Sequence, residues 1–355
     1  MANILIKNGR VWDGEHFFCA DVLTDGERVA KIEPQISDEA DYVYDAAGKT
    51  VSAGLIDAHT HMRGISYDKF GMQAEMSCFP FGVTAAADAG ARQGDKTLLD
   101  SFILKNVVFV DVSIKNNQPD FSETDMRLAA YGDKAIGLKV YFDTTVSEVR
   151  DIAPLRRICD FAHKRGLHTM VHSSNSPTKI SDILDVLGEG DILTHAFQGG
   201  FYNASEDGFE SVGQAQRRGV VIDMGMAGHV HTDFGVFEKA VQSGIVPDVI
   251  STDITRYSAY TRGGRYGMTM CMSIAKTLGM SEESIFKAVT SNPAKALGKD
   301  REWGYLQLGR VADIAVFDYT DEGFDLTDKS GNRIYSTEGY RCILTVSGGQ
   351  IMYRY

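Results

Sequence analysis

AIGLKVYFDTTVSEVRDIAPLRRICDFAHKRGLHTMVHSS, residues 135–174, is the stretch from which the fold is read. Residues 135–142 form a short apolar and β-branched run, interrupted by Gly137 and Lys139 and too short for an ordinary helix. From Ser147 onward Val149, Ile152, Ala153, Leu155, Cys159 and Ala162 recur broadly at helical spacing, and Gly166 supplies a stop, so a helix is expected over 147–166. Residues 168–174 then read as another strand. Strand, helix and strand in succession make a βαβ unit, whose strands run parallel.

Working outward, the alternation repeats at intervals of about 25 to 30 residues. Further strand candidates lie at 54–61, 83–90, 106–113, 191–197, 220–226 and 248–254, which brings the total to eight. Eight βα units predict an α/β protein with a (β/α)8 TIM barrel. An open doubly wound sheet is the alternative, but it wants a Gly-rich phosphate turn after its first strand, and none is present. The ends of the chain differ. Short β-type runs at 4–6, 11–12, 21–24, 29–32 and 42–45, and again at 312–317, 342–347 and 350–353, are separated by turn signals such as Asn8-Gly9, Asp25-Gly26 and Gly348-Gly349. Neither end could bury a core alone. The expected organisation is therefore a barrel over 53–302, with 1–52 and 303–355 joined into a small discontinuous β-sandwich.

Composition narrows the function classes. The 355 residues are 43% hydrophobic and 24% charged, and 36 Lys and Arg stand against 48 Asp and Glu, a formal charge of -12. No run approaches the roughly 18 consecutive apolar residues of a membrane span, so no membrane partner is expected. The acidic balance, without any basic tract, argues against nucleic acid. A small-molecule enzyme is the leading class, and a homo-oligomer is left open. Cys19, Cys78, Cys159, Cys271 and Cys342 are odd in number, far apart and without a CxxC pair, so buried reduced thiols are expected. MANILIKNGRVWDG shows no basic stretch followed by an apolar core, and a cytoplasmic location is expected.

Barrel enzymes carry their chemistry where strands end at the C-terminal rim. Here the first strand ends in Asp57-Ala58-His59-Thr60-His61, the fourth carries Lys139, the fifth ends at His172, the sixth at His195 and the eighth at Asp253. His59 and His61 are two apart and would face the same side. Imidazoles suit zinc and its neighbours. Singly, each of these histidines would more often be a structural residue; their coincidence at one level of several strands points to a metal site. Lys139 among Ile136, Leu138, Val140 and Phe142 should either lose its proton or find a counter-charge, because a buried ammonium is costly. A salt-bridged rim lysine is the plain alternative. A neutral amine can instead add carbon dioxide, giving an anionic carbamate able to bridge two cations.

This constellation resembles the binuclear amidohydrolase superfamily, its deacetylase and dihydroorotase-like branch. Ser52-Ala53-Gly54-Leu55-Ile56-Asp57, Thr290 through Gly298, and Gly309-Arg310-Val311-Ala312-Asp313-Ile314 are similar to the family's approach to and return from the barrel. The resemblance implies two divalent metals, zinc being expected. His59, His61 and Asp253 would hold one, His172 and His195 the other, with carboxylated Lys139 between them. It further implies a metal-bridging hydroxide attacking a carbonyl, with Asp253 as the catalytic proton shuttle.

The substrate is less legible. His61-Met62-Arg63 is similar to the HxHxR of dihydroorotases, where the arginine clamps a carboxylate. The segment Gly82-Val83-Thr84-Ala85-Ala86-Ala87-Asp88-Ala89-Gly90 looks more like the deacetylase branch. Arg256 follows the eighth strand and could pair with a carboxylate or with loop acids. His229 and His231 follow the seventh strand and could touch substrate or be merely structural. Tyr141, two beyond Lys139, could face substrate or pack in the core. The expectation is a hydrolase of non-peptide carbon–nitrogen bonds, and of esters too, acting on an N-acyl amino acid or O-acyl hydroxy acid. A dihydroorotase-like cyclic amide hydrolase, a heterocycle deaminase and an inactive assembly partner are the alternatives.

Overall fold

The computed structural model describes residues 2–62, 71, 73–92, 96–228, 230–261 and 266–355. Seven parallel strands follow one another in sequence order around one sheet: Leu55–Thr60, Val83–Ala91, Lys105–Asp111, Ala135–Tyr141, His168–His172, Ile192–Thr194 and Val221–Ile222. The eighth expected strand is present only as isolated parallel bridges, Asp223 with Val249 and Thr60 with Ile254. They suffice to close the ring, with Asp253 N donating to His59 O at 2.8 Å on one side and Met224 N to Val249 O at 3.0 Å on the other.

Parallel pairing puts partner residues on the same face, so the register shows how the interior is layered. One row runs Ala89, Phe109, Gly137 and His168, and the next runs Asp111, Lys139, Met170, Ile192 and Val221. Above them, Tyr141 pairs with His172 and His172 with Thr194. Gly137 is there because nothing larger fits: a Cβ would lie 2.5 Å from the His168 carbonyl and 2.7 Å from the Phe109 ring. The alternate residues Val108, Val110, Leu138, Val140, Val171 and Leu193 are buried outward, in the same core as Ile158 and Phe237 of the surrounding helices. Burial on both faces is what makes such strands read as near-continuous apolar runs.

Strands from both ends of the chain form one eight-stranded sheet. Its seam is Thr50–Ala53, a strand the sequence reading did not assign, which pairs parallel with Ile4–Trp12 and antiparallel with Ile314–Thr320. Ile4–Trp12 breaks register after Ile6, and Asn8 takes a φ of 58°. Its first half thereby pairs with Tyr42–Asp45 and its second with Thr50–Ala53, so the sheet branches around a core of Ile6, Val11, Val51, Ile314 and Leu344. A separate antiparallel hairpin, Phe324–Thr327 with Arg333–Ser336, was not anticipated.

Two expectations need correction. The helix expected over 147–166 is Ala153–His163. Pro154 is tolerated only at a helix start, and the Ser147 hydroxyl bonds back to the Tyr141 and Asp143 carbonyls. Cys19 is exposed rather than buried; the other cysteines are buried and all are free thiols. Among the described residues no helix is long and apolar enough to cross a membrane.

Candidate metal centre

The barrel mouth gathers two groups of side chains that could hold a metal ion, His59, His61 and Asp253 in one and His172, His195 and His231 in the other, with the candidate ligand atoms within 4.8 Å of one another in each. Asp253 Oδ1 lies 2.8 Å from His61 Nε2 and 3.2 Å from His59 Nε2, yet it accepts no hydrogen bond in proper geometry among the described residues. His195 Nε2, fully buried, likewise has no hydrogen-bond partner among them. A buried polar atom left unpaired costs about 1–3 kcal/mol. Lone pairs that converge without a proton between them suit a cation, and this donor set fits divalent metals. Lys139 is fully buried in the floor, its Nζ 2.9 Å from His59 Nε2 and 5.5 Å from the Tyr141 ring centre.

The far side of each imidazole is held, which fixes the nitrogen left for the centre. His59 Nδ1 donates to Thr194 Oγ1 at 2.9 Å; that hydroxyl donates to Asp223 at 2.6 Å, and Ser251 Oγ donates to the same carboxylate at 2.7 Å. His195 Nδ1 donates to the Gly225 carbonyl at 2.6 Å. Gly225 has φ 51°, and a Cβ there would stand 2.6 Å from that same Nδ1, so glycine permits the approach. His172 Nε2 meets Asp143 Oδ2 at 3.1 Å, leaving Nδ1 for the centre. His231 Nδ1 pairs with Ser174 Oγ at 2.9 Å.

Backbone conformation explains where the strands stop. His195 and Asp253 sit at φ 60° and 46°, left-handed geometry that ends a strand and is sparsely used by non-glycine residues. This is why the sixth strand ends at Thr194 and why 248–254 supports only bridges. Such conformations, maintained at a cost of order 1–3 kcal/mol each, cluster at functional sites.

Burial and mutual repulsion keep His59, His172, His195 and His231 neutral. Burial, then the Lys139 charge, pushes His59 down to about 4; burial and His172 push His231 down to about 3; His195 and His172 are lowered mainly by burial. Burial opposes ionisation of Asp253, but His59 and His61 outweigh it and hold the carboxyl well below its usual range. Asp57, whose carboxylate accepts from Thr252 N and Oγ1, is pushed up to about 7 by burial.

These shifts set the acid stability of the metal-stripped protein. A histidine with a lowered folded pKa takes up its proton on unfolding, so its contribution is intact above the unfolded value near 6.5 and is lost as pH falls toward the folded one. Asp57 works oppositely between about 3.8 and 7, but one carboxyl stands against four imidazoles. Chelator-treated protein is therefore expected to melt at a lower temperature at pH 5.5 than at pH 7.5. Calorimetry that found the reverse would contradict the neutral cluster.

Beyond the ligands the mouth opens into a cavity of about 750 Å3. His59, His61, Tyr141, His172, His231 and Asp253 line it, with the Tyr141 ring 5.7 Å from His172. Lys139 and His195 are buried beneath. Arg256 is half-buried and is not among the lining residues, whereas Tyr257 and Ser258 of the same helix are. Arg63 and His229 lie outside the described residues. His231, considered beforehand for substrate contact, sits within the ligand cluster, 4.0 Å from His195 ring to ring.

Sequence reasoning missed Asp143, Arg92 and Lys329 on the lining, and Thr194 and Asp223 behind His59. Asp143 was accessible to it, following Lys139 at the same strand end. Lys329 gave no signal, since it arrives from the C-terminal segment.

A deacetylase of Enterococcus faecalis is 28% identical over 98% of this chain and 98% of its own length. A deacetylase of Agrobacterium fabrum is 26% identical over 88% of this chain and 81% of its own. The crystal structure of a dihydroorotase superposes with a TM-score of 0.87 over 99% of both chains at 23% identity, which is likeness of fold. The amidohydrolase family model matches residues 50–352. With that span reaching from the seam of the terminal sheet through the whole barrel, the chain belongs to the amidohydrolase family, hydrolases of carbon–nitrogen bonds.

Proposed function

We propose that this protein hydrolyses the amide or ester bond of a small carboxylate-bearing substrate, an N-acyl amino acid or O-acyl hydroxy acid, with two divalent metals bound, zinc being the expected ion. The observation that carries this reading is the meeting of His59, His61 and Asp253 with His172 and His195 over one fully buried lysine at the base of an open cavity. His59, His61 and Asp253 would hold one ion and His172 and His195 the other. Such ions, when bound, would supply Lewis acidity toward a carbonyl oxygen and make a water acidic enough to ionise near neutral pH.

The chain's own groups account for the rest. Lys139 as a free ammonium would be a cation packed against metal-binding imidazoles. As a neutral amine it adds carbon dioxide at Nζ and releases one proton, and the resulting carbamate balances charge where two cations would meet. Asp253, kept ionised by the imidazoles around it, can take a proton from the attacking water and deliver it to the departing nitrogen or oxygen. The Tyr141 ring and His231, steadied by Ser174, form the walls against which the acyl group rests. The deacetylase names of two relatives matched over most of this chain support acyl transfer to water.

Chelation followed by readdition of zinc tests the reading. The stripped protein should lose at least about 100-fold in activity toward N-acetyl amino acids or O-acetyl hydroxy acids and recover it with zinc. Turnover confined to dihydroorotate or to aminated heterocycles would overturn it.

A further inference from the structure

The tip of the hairpin Phe324–Thr327 with Arg333–Ser336 reaches from the terminal segment to the barrel mouth, where Lys329 and Ser330 join the cavity lining. It is pinned there. Buried Asp328 accepts from Phe234 N at 2.7 Å, Asn332 N at 2.8 Å and Asn332 Nδ2 at 2.9 Å, and Asn332 Nδ2 also reaches Asp233 at 3.1 Å. Asp233 in turn caps the helix Phe234–Gln242, accepting from Val236 N at 2.9 Å. The tip is thus fastened to the same segment that carries His231, so Lys329 has a fixed place relative to the ligand cluster.

Its charge is uncommitted. Of the cations on the cavity lining, Arg92 is paired with Asp111 at 3.0 Å, while Lys329 is exposed and makes no ion pair among the described residues. The lining carboxylates are otherwise engaged: Asp143 accepts from His172, Thr145 and Asn175, Asp233 caps its helix, and Asp253 faces the imidazoles. In a chain of net charge -12, a pinned cation in no ion pair among the described residues, at the mouth of the cavity, is a place for an anion.

We infer that Lys329 is a specificity-determining residue that receives the substrate's carboxylate at the outer end of the cavity, while the scissile acyl bond lies against the histidines at the inner end. The inference rests on the acyl hydrolase reading and names what that reading leaves open, the group that selects acidic substrates. Ammonium–carboxylate contacts are charge-assisted and differ from an amide contact by roughly 10- to 100-fold in binding.

The test compares N-acetyl-glycine, -alanine, -phenylalanine and -glutamate with their C-terminal amides, in wild type and in Lys329→Met and Lys329→Arg. Wild type should prefer the acids by about tenfold or more in KM; Lys329→Met should erase most of that preference through KM rather than kcat, and Lys329→Arg should retain it. A preference for acids that persists in Lys329→Met overturns the inference while leaving the proposed function intact. Should wild type cleave none of these compounds, the functional reading fails instead, and calorimetric binding of the same acids to zinc-loaded protein decides Lys329. Binding weakened about tenfold in Lys329→Met would support its role, and equal or undetectable binding in both proteins would overturn it.

Discussion

Lys139→Ala is expected to leave a folded protein that no longer retains two metals per chain and that loses about 10^3-fold or more in kcat/KM, an effect of several kcal/mol. The argument is electrostatic. Lys139 Nζ is 2.9 Å from His59 Nε2, the nitrogen proposed to ligate, on a strand whose partners at this level are Asp111 and Met170. On the proposed reading two cations brought together at the rim need an anion between them, and a carbamate made on this amine would supply it. Truncation also removes a fully buried side chain, so some loss of stability is expected, of order 2–4 kcal/mol by analogy with large-to-small core changes. Metal analysis after dialysis and thermal melting separate the two effects. Retention of two metals by a well-folded Lys139→Ala protein would sink the assignment. Partial recovery of metal and activity on adding a short carboxylic acid would support it, since the acid could occupy the space the side chain vacates.

How far the sequence could be read depended on whether a feature is local. The βα alternation is local, because strands buried on both faces read as apolar runs wherever they occur. Seven of the eight expected barrel strands are present, with ends shifted by a few residues. The eighth is a set of bridges because Asp253 is turned out of the strand into left-handed geometry. That turn overrode the local preference, and periodicity does not record it. The side chains that the structure gathers at the barrel mouth were legible, since each sits one or two residues from its apolar run. What supports them was not. Asp223 and Thr194 behind His59 and Gly225 behind His195 are joined only by the closure of the barrel. Lys329 lies farther still, about a hundred positions from the helix cap to which its hairpin is fastened. Thr50–Ala53 escaped notice for a related reason: four residues carry no periodicity, and their role as the seam comes from partners at both ends of the chain.

Asp253→Asn is the sharper probe of chemistry, with an expected fall in kcat of about 10^3-fold for amide substrates, within the range of general acid–base catalysis. Asparagine is isosteric and tolerates the φ of 46° at this position, so the backbone turn should survive. What vanishes is the carboxylate that the surrounding imidazoles keep ionised, and with it the group proposed to receive a proton at the attacking water and release it at the leaving atom. Those two duties can be told apart. An amine is too basic to depart without a proton, whereas a nitrophenolate departs unaided. The variant should therefore lose less on a nitrophenyl ester than on the corresponding amide, by about tenfold or more. Loss of metal alone would depress both substrates equally and would show up in metal analysis. A variant that keeps two metals, and is slowed to the same degree on ester and amide, would remove Asp253 from the proton transfer to the leaving group. It would leave the carboxylate with ligation or with the first proton transfer, and another group on the cavity wall would have to protonate the departing nitrogen. His231 is one candidate, its Nε2 3.8 Å from Asp253 Oδ2, but an imidazole pushed down to about 3 carries almost no proton at neutral pH. For that physical reason the amide-selective loss is the expected result.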